Sequence, residues 1–600
     1  MLQRLKNLLH LIGRPGRIKF AALLFLMTIN AILEMAGIGA IPLFILILSS
    51  PEMVLQHRWA ASLTELFQIT SSRSLMIWGS IFLVGLFAAK NGFFILLIYI
   101  KTRIIYNEQI RLGDRLFKAY MTADYTFFLN RNSAELLRNV HNETKVIING
   151  VTMPLLQIVL DGLVLAMIVG LLLSVEPLAS LLTFTVMGAV SLFFVRATGE
   201  KTKSYGKEEQ AHRRKMRKVV LEGIAGIKDI KVLGREGGFL GRYHFSAVRT
   251  AMALRYKQMI TQLPKPFMEM ITLAGMMMIA LVLLATDRQI SSLIPLLALF
   301  GAAIVRLLPV LKTILSSFVD VRYHIYAVDP VYNDLMSLEK KNQARPDGEK
   351  HAGIQAYPFV SKIEFKDVSY HYPQSHVQAV RNIHLDIPKG AVIGLVGPSG
   401  AGKTTLVDIL LGLLEPQSGQ VLADDQNIFE DIRRWQRNVG YIPQFIHLSD
   451  DTIRRNIALG LRDDEIDEVK ITDALLAAQL EGLISELPEG LNTVVGERGT
   501  RLSGGQRQRI GIARALYNNP RVLIMDEATS ALDNITEKYV IESIEKLRGD
   551  RTIVMIAHRL TTVRSCDMIY LFDQGKLVER GTYDSLMKSS EAFRKMNLLE

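Results

Sequence analysis

The chain has 600 residues, a formal net charge of +12 and 49% hydrophobic residues. Its mean hydropathy of +0.22 is too high for an ordinary soluble protein of this length, so the composition indicates a membrane protein. The single cysteine, Cys566, excludes a disulfide framework and a cysteine-based metal site.

The hydrophobic surplus lies in the first half of the chain. Six apolar stretches there are long enough to cross a bilayer, which takes about 20 residues per helix. They cover residues 20–48, 74–100, 148–174, 178–195, 266–285 and 290–318. The basic start of the chain resembles a signal peptide, but the apolar run that follows is too long, so we expect a retained first span. The sequence therefore predicts an all-α, six-helix transmembrane domain over residues 1–330.

The distribution of basic residues predicts the orientation of this domain. They cluster before the first span, after the second and after the fourth: Arg4, Lys6, Arg14, Arg17, Lys19, Lys101, Arg103, Arg111, Arg115, Lys118, Lys201, Lys203, Lys207, Arg213, Arg214, Lys215, Arg217 and Lys218. The loops on the other side are short or sparsely basic. The positive-inside rule therefore places both termini in the cytoplasm. Topology and anionic lipid headgroups explain the positive charge, and no base-reading motif indicates nucleic acid.

Several charged residues fall inside the predicted spans or at their edges: Glu34, Lys90, Asp161, Lys265, Glu269 and Arg306. Each costs roughly 2.5–3.5 kcal/mol if it faces lipid, so we expect these side chains to face the bundle interior, a cavity or one another. Two interpretations follow. Lys90, Lys265 and Arg306 line a substrate cavity, or acids and bases pair structurally, for example Glu34 with Lys90.

Two long excursions, residues 101–146 and 196–262, are expected to extend the spans as helices into the cytoplasm. Within them, residues 123–129 and 233–240 predict short helices with exposed apolar and aromatic side chains. The chain then becomes polar, and residues 331–359 are predicted to form a linker. A second domain is expected over residues 360–600.

Residues 397–404 of this domain read G-P-S-G-A-G-K-T and fit the P-loop pattern. An apolar strand at 391–396 precedes them and a helix-forming stretch follows. Gly397, Gly400 and Gly402 let backbone N–H groups surround phosphate oxygens at a helix N-terminus. Lys403 adds a positive charge, and the Thr404 hydroxyl can ligate Mg²⁺. The context favours a phosphate site over a chance glycine turn.

Polar residues follow three further predicted strands. Asp526 and Glu527 come directly after a β-branched run, where open α/β sheets bind ligands. Asp526 would orient Mg²⁺, and Glu527 would polarise the attacking water. Gln444 is placed to ligate the metal or sense the γ-phosphate, and His558 to hold that phosphate. The sequence therefore predicts a catalytic set of Glu527, His558 and Gln444.

In this order the motifs resemble the nucleotide-binding domain of ATP-binding cassette transporters, over residues 360–600. The resemblance implies ATP and Mg²⁺ as cofactors, with Mg²⁺ on Thr404, Gln444 and Asp526. It makes Tyr372 the residue that stacks on adenine, residues 530–533 the D-loop and His558 the switch histidine. The implied ATP-binding residues are Tyr372, Gly397, Ser399, Gly400, Gly402, Lys403, Thr404, Thr405 and Asp526, with Leu502, Ser503, Gly504, Gly505 and Gln506 facing the P-loop of a second copy. One cassette per chain therefore implies a homodimer.

The whole chain resembles an exporter-type half-transporter. Arg498 matches the exporter X-loop, and in exporters the short segments between helical extensions dock into a groove on the cassette; packing on their own helices is the alternative. Residues 226–236 and 305–309 look like stretches of bacterial flippases for lipid-linked oligosaccharides. This implies a polyprenyl-pyrophosphate glycan as substrate in the inner membrane. An exporter of lipid A, phospholipid or hydrophobic drugs is the alternative, and complete catalytic residues favour a pump over a channel.

Overall fold

The structure is a computed structural model. It describes the chain apart from residues 1, 50, 52–70, 271–272, 275–276, 278–289, 343–355, 374, 528–541, 543–544, 558–559, 561 and 599–600. The chain divides into two compact units, one made of Met1–Ala123 and Arg131–Arg345, the other of Asp124–Asn130 and Pro346–Glu600. The described part of the first unit is helical, and the second contains two β-sheets. The predicted fold class, an all-α membrane domain followed by an α/β domain, is confirmed.

Long helices form most of the first unit. Its helices are α1 (Leu2–Ser49), α2 (Ser72–Met121), α4 (Ser133–Arg138), α5 (Thr144–Ile147), α6 (Met153–Val175), α7 (Pro177–Ala225), α8 (Ile227–Leu233), α9 (Glu236–Gln262), α10 (Ile290–His324) and α11 (Val328–Asn342). Two π-helical turns, Asn139–Glu143 and Ile148–Thr152, flank α5. The intervening α3 (Tyr125–Leu129) belongs to the second unit.

Four helical stretches of the described chain are long and apolar enough to cross a membrane. They are Leu2–Ser49, Ser72–Met121, Ser133–Val175 and Ala298–Lys340. The predicted first, second, third and sixth spans fall on these stretches. The predicted fourth span forms the start of α7, and most of the predicted fifth span lies outside the described residues.

Helix α1 is broken near its start. Gly13 has a φ of 67°, and Pro15 lacks the N–H that would continue the helical hydrogen bonding. The Ile12 carbonyl accepts a hydrogen bond from Arg111 of α2. The guanidinium of Arg115 donates to the Leu11 carbonyl at 3.2 Å. Tertiary contacts therefore hold residues 2–12 as a separate helical segment.

The two predicted short helices have different outcomes. Residues 123–129 do contain a short helix, α3, within the second compact unit. Its Tyr125 lies near Asp408 and Tyr372, and burial together with these two groups raises the Tyr125 pKa. The prediction for residues 233–240 is wrong, because the short helix α8 precedes that segment. Gly234, at a φ of 60°, ends α8, and α9 begins at Glu236.

The second unit contains a large, mostly parallel sheet and a small antiparallel sheet. Its strands are β1 (Lys362–His371), β2 (Gln378–Pro388), β3 (Val392–Val396), β4 (Ser418–Ala423), β5 (Gln426–Asn427), β6 (Val439–Ile442), β7 (Val522–Asp526), β8 (Thr552–Ile556), β9 (Met568–Asp573) and β10 (Lys576–Gly581). The large sheet has the order β10-β9-β3-β8-β7-β6, and the small sheet has the order β2-β1-β4-β5. The four pairings among β9, β3, β8, β7 and β6 are parallel.

The other α-helices described in the second unit follow or separate these strands. They are α12 (Lys403–Leu410), α13 (Ile432–Gln436), α14 (Ile453–Ile457), α15 (Glu468–Ala477), α16 (Glu481–Glu486), α17 (Gly504–Leu516), α18 (Tyr583–Ser589) and α19 (Glu591–Leu598). Every residue of β3, β7 and β8 is buried, as expected for parallel strands covered on both faces. In one core cluster Trp435 is fully buried, and its indole N–H donates to the Leu410 carbonyl at 2.7 Å. This bond joins α13 to the C-terminal end of α12.

Candidate functional site

The predicted P-loop joins β3 to α12. Gly397 has a φ of 146°, and a Cβ there would lie 2.1 Å from the Phe572 carbonyl oxygen. Gly402 has a φ of 99°, and its Cβ would lie 2.3 Å from the Ala379 carbonyl oxygen. Both positions therefore require glycine for backbone conformation and for space. The loop leads directly into the N-terminus of α12, where backbone N–H groups favour an anion.

Lys403 begins α12 and is buried inside this loop. Its ammonium donates hydrogen bonds to the carbonyls of Gly397 at 2.6 Å and Pro398 at 3.0 Å. Burial lowers the Lys403 pKa, while the nearby carboxylates of Glu527 and Asp526 act in the opposite direction. The positive charge is therefore held at the centre of the loop and close to the predicted catalytic carboxylates.

Gln444 and Glu527 meet at one edge of the large sheet. Strands β6 and β7 are parallel neighbours, so the residues that follow them emerge side by side. The Gln444 amide donates to the Glu527 carboxylate at 2.5 Å. Glu527 has a φ of 47°, an unfavourable conformation for a residue with a side chain. Asp526, at the end of β7, is buried beside it.

The first turn of α12 also meets the aromatic residue predicted to stack on adenine. The Tyr372 hydroxyl lies 3.0 Å from the Thr405 hydroxyl. Thr404 and Ser399 are exposed, so their hydroxyls are accessible to a ligand. Asp408 on this helix was not predicted from the sequence. Burial, followed by repulsion from Asp526, raises the Asp408 pKa to about 6.

Residues 502–506 lie at the N-terminus of α17. Ser503 caps the helix, because its hydroxyl accepts from the Gln506 backbone N–H at 3.2 Å. The Gln506 side chain accepts from the Ser503 N–H at 2.8 Å. Leu502 and Gly505 are buried. Ser503 and Gly504 are exposed, so this helix N-terminus is open to a partner. His558 and the predicted D-loop at 530–533 lie outside the described residues.

Sequence and structure comparisons identify the family. Residues 380–530 match the ABC transporter family, and residues 25–307 match the ABC transporter transmembrane region. An ATP-dependent lipid A-core flippase from Chromobacterium violaceum is 30% identical over 505 residues, 82% of each chain. The chain belongs to the ABC transporter family. It is an exporter-type half-transporter with an ATPase domain coupled to transport, which confirms this part of the sequence prediction.

A further relative and a solved structure extend the comparison for this ABC transporter. A Haemophilus influenzae protein, also an ATP-dependent lipid A-core flippase, is 30% identical over 493 residues, 81% of each chain. The solved structure of a bacterial Atm1-family ABC exporter with ATP bound has a TM-score of 0.70 and 23% identity. The match covers 95% of this chain and 97% of that one. It shows a shared fold across almost the whole half-transporter.

In the transporter's membrane domain, a buried acid joins two of the predicted cavity residues. Glu34 of α1 accepts from the Lys90 ammonium at 3.0 Å and from the Arg306 guanidinium at 2.5 Å. The predicted pairing of Glu34 with Lys90 is thus confirmed. Lys265 lies 3.8 Å from Glu269 on an exposed helical turn. The described contacts therefore group Lys90 with Arg306, whereas Lys265 pairs separately.

Lys90 and Arg306 differ in their access to a ligand. Lys90 is 7% exposed, and Gly37 leaves room for its side chain against α1. The Arg306 side chain is 36% exposed, and its Nε atom is buried without a hydrogen-bond partner. Only one carboxylate, that of Glu34, is paired with these two cations in the described contacts. Of the two cations, Arg306 is therefore the more accessible to an anion.

A second polar chain was not predicted from the sequence. The Lys101 ammonium donates to Gln157 at 2.9 Å, and the Gln157 amide donates to Asp161 at 3.0 Å. Asp161 was predicted as an intramembrane acid, whereas Lys101 was predicted to belong to a cytoplasmic basic cluster. No spacing signal could have revealed the contact, because 56 positions separate Lys101 from Gln157.

Proposed function

We propose that this half-transporter forms a homodimer that uses ATP to flip a lipid with a phosphorylated headgroup, of the lipid A-core class, across the inner membrane. Relatives that match over four fifths of both chain lengths are named ATP-dependent lipid A-core flippases. This observation supports the assignment most strongly. These relatives favour the alternative of the sequence analysis over its first choice, a lipid-linked oligosaccharide. The latter remains the second candidate, because the Arg306 guanidinium would also suit a diphosphate.

In the proposed ATPase reaction, Glu527 polarises the attacking water and Gln444 orients the Glu527 carboxylate. Their 2.5 Å hydrogen bond supports this pairing. Lys403, inside the P-loop, binds the β- and γ-phosphates, while Tyr372 stacks on adenine. Arrangement of these groups before ATP binds reduces the reorganisation needed in the transition state.

The cassette also offers donors that fit Mg²⁺. The exposed Thr404 hydroxyl, the buried Asp526 carboxylate and the Gln444 amide oxygen are the hard oxygen ligands that this ion prefers. When bound, Mg²⁺ would neutralise charge on the phosphate oxygens. We assign these three residues to its site, and His558 to the γ-phosphate.

The homodimer supplies the second half of each ATP site. The open N-terminus of α17, with Ser503 and Gly504 exposed, is suited to the γ-phosphate held by the other chain's P-loop. Each ATP would then contact Lys403 of one chain and Ser503 of its partner. Hydrolysis therefore requires two chains.

For the substrate we assign Arg306 as the main phosphate ligand. Its side chain is partly exposed, whereas Lys90 is buried against Glu34. A guanidinium can bind phosphate oxygens in a forked geometry. We further propose that both termini and the cassette lie in the cytoplasm, as the distribution of basic residues indicates.

Reconstituted vesicles test this assignment. The protein would be placed in phosphatidylethanolamine–phosphatidylglycerol vesicles alone, with lipid A-core, with a polyprenyl-pyrophosphate glycan or with a hydrophobic drug. We expect lipid A-core to stimulate ATP hydrolysis and to move between leaflets only with ATP. Stimulation and movement of the glycan alone would favour the second candidate. Stimulation by the drug alone would refute the phosphate-headgroup assignment.

A further inference from the structure

The chain leaves the membrane unit at two places, and the buried carboxylate of Asp334 connects the segments at these two places. The first segment is the excursion between α2 and α4, whose tip, Asp124–Asn130, belongs to the second compact unit. The second segment is α11, which ends at Asn342 shortly before the second unit resumes. Asp334 lies on α11 and is only 2% exposed.

Both sides of the excursion bind Asp334. On the entering side, the Tyr120 hydroxyl donates to its Oδ2 at 2.6 Å. On the returning side, the Asn139 amide donates to Oδ2 at 2.9 Å, and an Arg131 guanidinium nitrogen lies 3.3 Å from Oδ1. Asp334, about 200 positions away in sequence, therefore links the two sides of the excursion at its base.

The surrounding contacts fix the orientation of these groups. The side-chain amide oxygen of Asn139 accepts a hydrogen bond from Arg138 at 3.0 Å, so the NH₂ group of the same amide points to Asp334. Asn139 also begins a π-helical turn, a feature often found at functional positions. Farther along α11, Glu339 binds Arg115 through both oxygens, at 2.6 and 2.7 Å. Helix α11 is thus attached to α2 at two levels.

We propose that Asp334 is a positioning residue that transmits movement of the Asp124–Asn130 segment to α11, the last helix of the membrane unit before the cassette. It accepts hydrogen bonds from both sides of the excursion while lying on that helix. A shift of either side must therefore displace α11 or break a buried, charge-assisted hydrogen bond. A carboxylate suits this role because all its neighbours are donors.

The test compares Asp334→Asn with Asp329→Asn in the full-length protein in nanodiscs. Asp329 is on the same helix but is half-exposed and pairs with Arg4 of the N-terminal segment at 2.7 Å. Amide hydrogen exchange of residues 124–139 and 328–342 would be followed with and without ATP. This readout requires no transport substrate, so its outcome is independent of the lipid assignment.

In wild type we expect ATP to change exchange in both segments. In Asp334→Asn, exchange at 124–139 should accelerate about tenfold, because the amide keeps only one acceptor oxygen and its new NH₂ group opposes either Arg131 or, when rotated, Tyr120 and Asn139. The ATP-dependent change at 328–342 should disappear, with basal ATP hydrolysis within about twofold of wild type. Asp329→Asn should preserve the ATP response of both segments.

Three results would overturn the proposal. They are an ATP response at 328–342 that survives Asp334→Asn, the same loss in Asp329→Asn, and a wild-type protein in which ATP changes neither segment. If Asp334→Asn does not fold, Tyr120→Phe removes one donor with little change in volume. That variant should weaken the ATP-dependent change in exchange at 328–342. An unchanged response in this variant would also overturn the proposal.

Discussion

The phosphate-binding loop and the charge cluster of the membrane domain differ in how their parts are distributed along the chain. The loop is one continuous run, whereas Glu34 contacts Lys90 and Arg306 from 56 and 272 positions away. In the loop, backbone geometry itself selects the residues, as Gly397 and Gly402 show. In the membrane domain, packing of three helices decides which charge neutralises which. A motif therefore predicts the first site, while only a structure shows which cation of the second site is accessible.

The largest expected effect tests the cassette side of this comparison. Glu527→Gln should reduce ATP hydrolysis a hundredfold or more, because it removes the group that polarises water, while ATP binding persists. Lys403→Ala should lose binding as well. Hydrolysis rates and nucleotide affinity of the purified variants separate the two roles. More than about a tenth of wild-type activity in Glu527→Gln would contradict the assignment.

The second prediction concerns the exposed start of α17. Apart from its chain neighbours and its own helix backbone, a Cβ at Gly504 meets no described atom within 4 Å, so Gly504→Val should fold normally. Its ATPase rate should fall about thirtyfold, because the added methyl groups would occupy space needed by the partner's nucleotide. Gly237→Val is a matched control, since Gly237 occupies the first turn of α9 with similar free space. Equal rates in both variants would contradict the shared site.

A third experiment addresses the membrane charges. Arg306→Ala should lower lipid translocation about tenfold, because it removes the forked phosphate ligand but leaves the Lys90–Glu34 pair. Lys90→Ala leaves Glu34 paired with Arg306 and should retain most translocation. Basal ATP hydrolysis should change little in either variant. Equal losses of translocation would instead indicate that both pairs are structural.

The smallest expected effect is the pH dependence of cassette stability. The folded Asp408 pKa of about 6 exceeds its ordinary value of 3.8, so the native state binds more protons between these values. This acid therefore lowers stability as pH rises through that window. At pH 7, Asp408→Asn should be more stable by about 1 kcal/mol, a value reduced for partial exposure of the carboxyl group. Calorimetry at pH 4.5 and 7 checks this, with the exposed Asp473→Asn as control. A pH-independent difference would exclude Asp408 ionisation as its cause.

Features that depend on residues close together in the sequence could be predicted, whereas contacts set by tertiary packing could not. The P-loop depends on residues near one another in sequence. Parallel strand order also explains why Gln444 meets Glu527. The 233–240 prediction failed because the helix-ending role of Gly234 was not recognised, although glycine is a local signal for it. The contacts of Asp334 and Lys101 had no local signal, since their partners are set by tertiary packing alone.

The hydrogen bond between Trp435 and the Leu410 carbonyl has a practical consequence. The chain contains three tryptophans, and Trp435 is the only one after residue 342. Its indole binds the C-terminal end of the helix that begins with Lys403. The cassette thus carries an intrinsic fluorophore on the far end of its phosphate-binding helix. A Trp78→Phe, Trp59→Phe protein would report displacement of that helix optically, without an attached dye.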